Sequence, residues 1–183
     1  MIVCAGLNES FEFALPIGVG ITSSAINLTK ILTANKADEI IFVGTCGLYK
    51  DGNLLDIYES KTAVNLEISS LLGLSYSPLF SSPIVQDLKN VSCETLITNS
   101  SNFITTNIDI AHKFSELGLF MENMELYSVL ETAKQFKIPA RGILCATNFC
   151  EPNAHNEFIK NHKKAKINLE KYLKERDIIW EIY

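Results

Sequence analysis

Two runs of the chain leave little freedom in how it can fold. ADEIIFVGTCG (Ala37 to Gly47) and GILCATNFC (Gly142 to Cys150) are apolar over consecutive positions and then turn to glycine or polar residues. Consecutive apolar residues of strand length leave no face for water, which marks a central strand in a sheet covered on both sides. In such a sheet the carboxyl ends of the strands are where ligands usually sit. The second run ends at Thr147 and Asn148, and either Asn148 is a turn residue or it points at a ligand.

The remaining segments alternate around these two. IVCA and FEFALPIG read as strands, Pro16 and the glycines closing the second. TSSAINLTKILTAN reads as a helix that Thr22 or Ser23 can cap, with Ile26, Leu28, Ile31 and Leu32 as its apolar face. LLDIYES and ETLITN read as strands, LEISSLLGL as a short helix and LFSSPI as a loop. NIDIAHKFSELG is a helix ended by Gly118. NMELYSVLETAKQF is another, with Leu126, Val129, Leu130 and Ala133 on one side. NEFIKNHKKAKINLEKYLKER is a long amphipathic C-terminal helix. This alternation predicts an α/β fold, one domain over residues 1–183, with helices on both faces of the sheet.

Composition excludes several function classes. The net charge is −5 and only two arginines occur, Arg141 and Arg176, which argues against a nucleic-acid surface. Lys160, Lys163, Lys164 and Lys166 alternate with Asn, His and Glu and read as a solvated helix face. Cys4, Cys46, Cys93, Cys145 and Cys150 are odd in number and have no CxxC spacing, so reduced thiols in the cytoplasm are expected and no metal site. The N-terminus turns polar within a few residues and reads as neither a signal peptide nor a membrane span.

Three glycine turns follow strands: AGLNES, GVGITSS and VGTCG. Glycine lets the backbone approach a ligand, and a helix N-terminus offers free N–H groups to it. GVGITSS lacks the third glycine of a dinucleotide fingerprint. FMENMELYS places Glu122, Asn123, Met124 and Glu125 at a helix start. There the acids complement the helix dipole, or Glu125 accepts hydrogen bonds from a sugar diol while Met124 packs on the sugar. Phe103, in NSSNFITT, is core or stacks on a base. Of His112, His155 and His162, only His155 lies near enough to Asn148 to count as a site candidate.

GVGITSSAINLTKIL, ADEIIFVGTCGLY, NLLDIYES and MENMELYSVLETAKQFKIPARGILCATN, in that order, resemble the purine and uridine phosphorylase family. That family includes purine nucleoside phosphorylases, methylthioadenosine/S-adenosylhomocysteine nucleosidases and futalosine hydrolase. The resemblance implies a three-layer α/β/α sandwich around a mixed, partly barrel-like sheet, and cleavage of a nucleoside N-glycosidic bond by phosphate or water. It implies no cofactor, a small-molecule nucleoside as partner, no nucleic acid or membrane, and a dimer-based homo-oligomer. It assigns the ribose hydroxyls to Glu125, with Asn123 and Met124 beside it, and the base to Phe103 and Ile104. Gly6, Ser10, Gly20 and Thr45 match positions beside phosphate or water. Asn148 matches an aspartate at the purine N7, and with Glu125 forms the catalytic pair.

Three departures qualify this. Phe42 and Ser10 stand where hexameric phosphorylases carry phosphate-binding arginines, and each lost charge-assisted hydrogen bond is worth about 1.5–3 kcal/mol. Asn148 is an amide and cannot act as a general acid, although it can still donate to N7. Only about ten residues separate Gly6 from Gly18, where relatives carry some tens. Two readings follow: an enzyme of this chemistry, or a nucleoside- or purine-binding protein of the same fold without catalysis.

Overall fold

In the computed structural model, residues 1–77, 83–85 and 96–180 are described. Residues 79–82 of the expected LFSSPI loop, Cys93 and the first two residues of ETLITN lie outside them. In chain order the elements are β1 (Ile2–Cys4), β2 (Leu15–Pro16), α1 (Ile21–Ala34), β3 (Ile40–Leu48), β4 (Ile57–Ser60), β5 (Thr62–Val64) and α2 (Ile68–Leu71). Then follow β6 (Ile84–Val85), β7 (Ile97–Ser100), α3 (Ile108–Glu116), β8 (Met121–Asn123), α4 (Leu126–Phe136), β9 (Ala140–Phe149) and α5 (Ala154–Glu175).

The described strands form one mixed sheet in the order β2-β1-β3-β8-β7-β5-β6, with β9 pairing β3 and β4. The two runs that opened the sequence reading are β3 and β9. They pair in parallel along their whole length, Ile40 opposite Ala140 and Leu48 opposite Phe149. The register shifts between Cys46 and Gly47, so that Gly47 faces Asn148 and Thr147 is passed over. The other side of β3 is shared: β1 runs parallel to its first half and β8 antiparallel to its last two residues.

Both faces of this pair are covered, which is why Ile40 to Val43 and Ile143 to Ala146 are apolar without a break. Ile40 and Phe42 pack into a core with Leu28 and Leu32 of α1 and Leu126, Val129 and Leu130 of α4. Ile41, Val43, Ile143 and Cys145 face the other way, onto Ala165, Leu169 and Leu173 of α5. Each fully buried side chain of this size stabilises the fold by about 1.5–3 kcal/mol. Gly142 lets α4 come close, since a Cβ there would meet Leu126 at 2.8 Å. A third cluster joins Tyr49 and Cys150 to Ala111 and Phe114 of α3, the two rings 4.9 Å apart. The result is the expected three-layer α/β arrangement around a mixed sheet.

Local expectations differ in places. FEFALPIG pairs only over Leu15–Pro16. Helix α1 starts one residue before Thr22, and Gly20 takes the N-cap position without a side-chain cap. Ile26 is exposed rather than part of the buried face. Helix α4 starts at Leu126, because Met121–Asn123 pairs with β3 and β7 as a strand. Cys4, Cys46, Cys145 and Cys150 are free and buried. Among the described residues no group of side chains could hold a metal ion, and no helix is long and apolar enough to cross a membrane.

Candidate active site

A cavity of about 280 Å³ opens at the carboxyl ends of β1, β3 and β9 and beside the β8–α4 junction. Among the described residues its wall carries three carboxylates, Glu9, Glu122 and Glu125, one imidazole, His155, and no lysine or arginine.

Glu9 is brought in by a tight turn. Its N–H donates to the Gly6 carbonyl at 2.9 Å, with Gly6 at φ 95° and Leu7 at φ 52°. Glycine suits that conformation, and a leucine there is strained. The turn folds the Glu9 side chain back across the end of β1 onto β3. There its carboxylate accepts the Thr45 N–H at 3.2 Å and the Thr45 hydroxyl. Burial pushes the Glu9 carboxyl above its ordinary range, opposed by the two Thr45 hydrogen bonds. Gly44 makes the room: a Cβ there would lie 2.9 Å from a Glu9 oxygen and 3.0 Å from the Phe42 ring.

Glu125 sits on the opposite wall at the N-cap of α4, 3% exposed. Its Oε1 accepts the Gly20 N–H at 2.8 Å, which ties the start of α4 to the start of α1. The Ser128 hydroxyl adds a second tie by donating to the Ile21 carbonyl. Burial raises the Glu125 carboxyl to about 7, against the Gly20 hydrogen bond and helped by the negative charge of Glu9. The first turn of α4 is capped by Asn123, whose Oδ1 accepts the N–H groups of Glu125 and Leu126. Its Nδ2 donates to the Thr45 carbonyl, so the amide is engaged at both ends.

At the far end Asn148 is buried. Its Nδ2 donates to the Phe149 carbonyl and its Oδ1 accepts the Thr147 hydroxyl. Glu122 lies across Gly47 from it: a Cβ on Gly47 would be 2.9 Å from Asn148 Nδ2 and 3.5 Å from Glu122 Cγ. Phe103 and Ile104 approach from the segment after β7, and His155 and Phe158 from the first turn of α5.

The sequence model of the phosphorylase superfamily matches residues 2–175. The chain belongs to this superfamily. No curated protein sequence matches it significantly. The superfamily fold is also seen in its structural relatives. A Helicobacter pylori methylthioadenosine/S-adenosylhomocysteine nucleosidase, an aspartate-to-asparagine mutant with 5′-methylthioadenosine in its active site, superposes with a TM-score of 0.76 at 17% identity, over 91% of this chain and 80% of that one. The H. pylori futalosine hydrolase superposes at 0.75 and 16%, over 88% and 76%. A Borrelia burgdorferi protein bound to adenine, described as a candidate nucleosidase of the first type, gives 0.75 and 19%, over 97% and 99%.

Within this superfamily frame, Gly6, Thr45, Phe103, Ile104, Asn123, Met124, Glu125 and Asn148 all reach the cavity wall. Two of the expected positions do not. Ser10 lies outside, exposed, donating to the Leu7 carbonyl, because the turn that folds Glu9 inward carries Ser10 past the wall. Gly20 gives its N–H to Glu125, so that donor is spent inside the protein rather than offered to phosphate or water. Phe42 is fully buried in the core and is not part of the cavity wall. Glu9 and Glu122 are the wall carboxylates that the sequence reading did not single out as site residues. For Glu9 the signal was local and legible: a carboxylate three residues after a glycine at the end of a strand.

Proposed function

We propose that the protein hydrolyses the N-glycosidic bond of a purine nucleoside or related N-riboside, with water as the nucleophile. The observation that carries this is the Glu9 carboxylate held by Thr45 inside a cavity whose described wall has no lysine or arginine. A phosphate dianion there would face a carboxylate with no lysine or arginine on the wall to balance it, whereas a water molecule would find a base. The raised Glu9 carboxyl favours proton uptake.

In this reading Glu9 takes a proton from water beside Gly6 and Thr45 as the oxygen attacks the anomeric carbon. Glu125 accepts hydrogen bonds from the ribose hydroxyls and Met124 packs against the sugar. Phe103 stacks on the base and Ile104 borders it. The bond breaks with its electron pair going to the base, and the spare N–H of Asn148 hydrogen-bonds the N7 side where charge develops; the departing base anion takes a proton from solvent, and Glu9 returns its own to solvent. Asn123 contributes by holding Glu125, and Gly20 by orienting its carboxylate. No cofactor is required.

One observation favours the second reading, a purine-binding protein without turnover: the group at N7 is an amide and has no proton to give. A single assay decides. Inosine, adenosine and methylthioadenosine are incubated with and without phosphate, and free base is measured. Release independent of phosphate is expected. Release only with phosphate overturns hydrolysis, and thermal stabilisation by nucleoside without release supports the binding protein.

We further read residues 1–183 as one cytoplasmic domain. The exposed apolar rim of Leu7, Val19, Phe103 and Ile104 supports closure of the cavity mouth in a dimer-based homo-oligomer.

A further inference from the structure

Phe103 and Ile104 reach the cavity from a segment outside any helix or strand, and they are 66% and 54% exposed. Packing covers them only in part. The Ser101 hydroxyl bonds the Phe103 backbone locally, and two contacts with distant residues flank the pair. On one side Asn102 Oδ1 accepts the Ile21 N–H at 3.0 Å, fastening the segment to the start of α1. On the other side Thr105, 3% exposed, is gripped by Glu122. One carboxylate oxygen accepts the Thr105 N–H at 2.8 Å and the other accepts its hydroxyl at 2.6 Å.

This second contact fixes orientation as well as position. Two bonds from one residue to the two oxygens of one carboxylate leave Thr105 no rotation. The anchor is itself rigid, because Glu122 lies on β8, paired with Gly47 of β3 and Asn99 of β7. The Tyr49 hydroxyl and Cys150 thiol also face the carboxylate. A glutamine could accept at only one of its two terminal atoms.

We propose that Glu122 is a positioning residue for base recognition: its carboxylate locks Thr105 and so sets the arc 102–105 that places Phe103 and Ile104 over the purine. The proposal rests on the assignment of Phe103 and Ile104 to the base.

The test uses Glu122→Gln, Thr105→Val and Thr105→Ser in the full chain, with folding checked by circular dichroism. Adenine and hypoxanthine are titrated calorimetrically, and KM and kcat are measured on the nucleoside that the wild type cleaves best. E122Q and T105V should raise KM and the dissociation constant of the base roughly tenfold to a hundredfold, the value of one or two hydrogen bonds to a charge. In both variants kcat at saturation should fall less than about threefold, since the reacting groups are untouched. T105S should restore wild-type binding. If E122Q does not fold, T105V carries the same test. Folded variants that bind base and nucleoside within about twofold of wild type overturn the proposal. Wild-type protein that binds base but cleaves nothing overturns the hydrolysis, leaving the positioning role to be judged by titration. Wild-type protein that binds no purine overturns both.

Discussion

Glu9 and Thr45, 36 residues apart in the chain, are joined twice: the Glu9 carboxylate accepts both the backbone N–H and the hydroxyl of Thr45. A half-buried carboxylate held by two donors keeps its orientation, and it remains basic because burial opposes its charge. Glu9→Gln should therefore abolish most turnover, by roughly 10²- to 10⁴-fold, the usual contribution of a general base. Its melting temperature should stay near that of the wild type. A variant retaining more than a tenth of wild-type turnover would remove Glu9 from the chemistry.

Gly44 should tolerate no side chain. Alanine there puts its Cβ against Glu9 on one side and the buried Phe42 ring on the other. Overpacking of this kind costs about 1–3 kcal/mol, and the exposed end of the conflict is Glu9, so the base is displaced as well. Urea denaturation should show the loss of stability. Assays well below the melting temperature should show turnover reduced in the protein that remains folded.

Glu125→Gln should separate function from stability. Turnover should fall by more than about a hundredfold if the carboxylate holds the ribose hydroxyls in the transition state, and unchanged turnover would end that assignment. Stability should move the other way at high pH. The Glu125 carboxyl is raised to about 7 in the folded protein, above its unfolded value. Its contribution is complete below the unfolded value, near pH 4.5, and is lost as pH rises through about 7. Wild type should thus weaken from pH 5 to pH 8 relative to the variant, by about 1–3 kcal/mol. Denaturation curves at the two pH values measure the difference directly.

Asn148→Asp should shift preference from 6-oxo towards 6-amino purines. A protonated carboxyl at this position would donate to N7, and the amide's match to a 6-oxo base would be lost. The inosine-to-adenosine ratio of kcat/KM is the readout, and a ratio unmoved by the substitution would place Asn148 away from the base.

The layers of the fold were legible because the two central strands carry unbroken apolar stretches, Ile40 to Val43 and Ile143 to Ala146, and the helices carry clear stripes. What was not legible depended on partners distant in the chain. Glu122 to Glu125 read as the start of α4, yet the backbone of Met121–Asn123 is claimed by β3 and β7, and Asn123 caps the helix it was expected to join. Thr22 and Ser23 read as caps for α1, but that end faces the Glu125 carboxylate, which satisfies the Gly20 N–H from 105 residues away. At the site, Ser10 reads as the phosphate-side residue because it matches a family position. The turn through Gly6 and Leu7, both at positive φ, brings Glu9 inside and leaves Ser10 exposed, and that turn is set by backbone conformation rather than by residue type.

The Gly20–Glu125 contact has a thermodynamic consequence for ligand capture. A carboxyl poised near neutrality binds its proton only loosely, and hydroxyl donors from a sugar would stabilise the anion. Occupancy of the cavity and proton release then become one linked equilibrium. The apparent heat of binding would vary with the ionisation enthalpy of the buffer, and affinity for a ribose-bearing ligand would climb with pH across the physiological range while affinity for the free base would not.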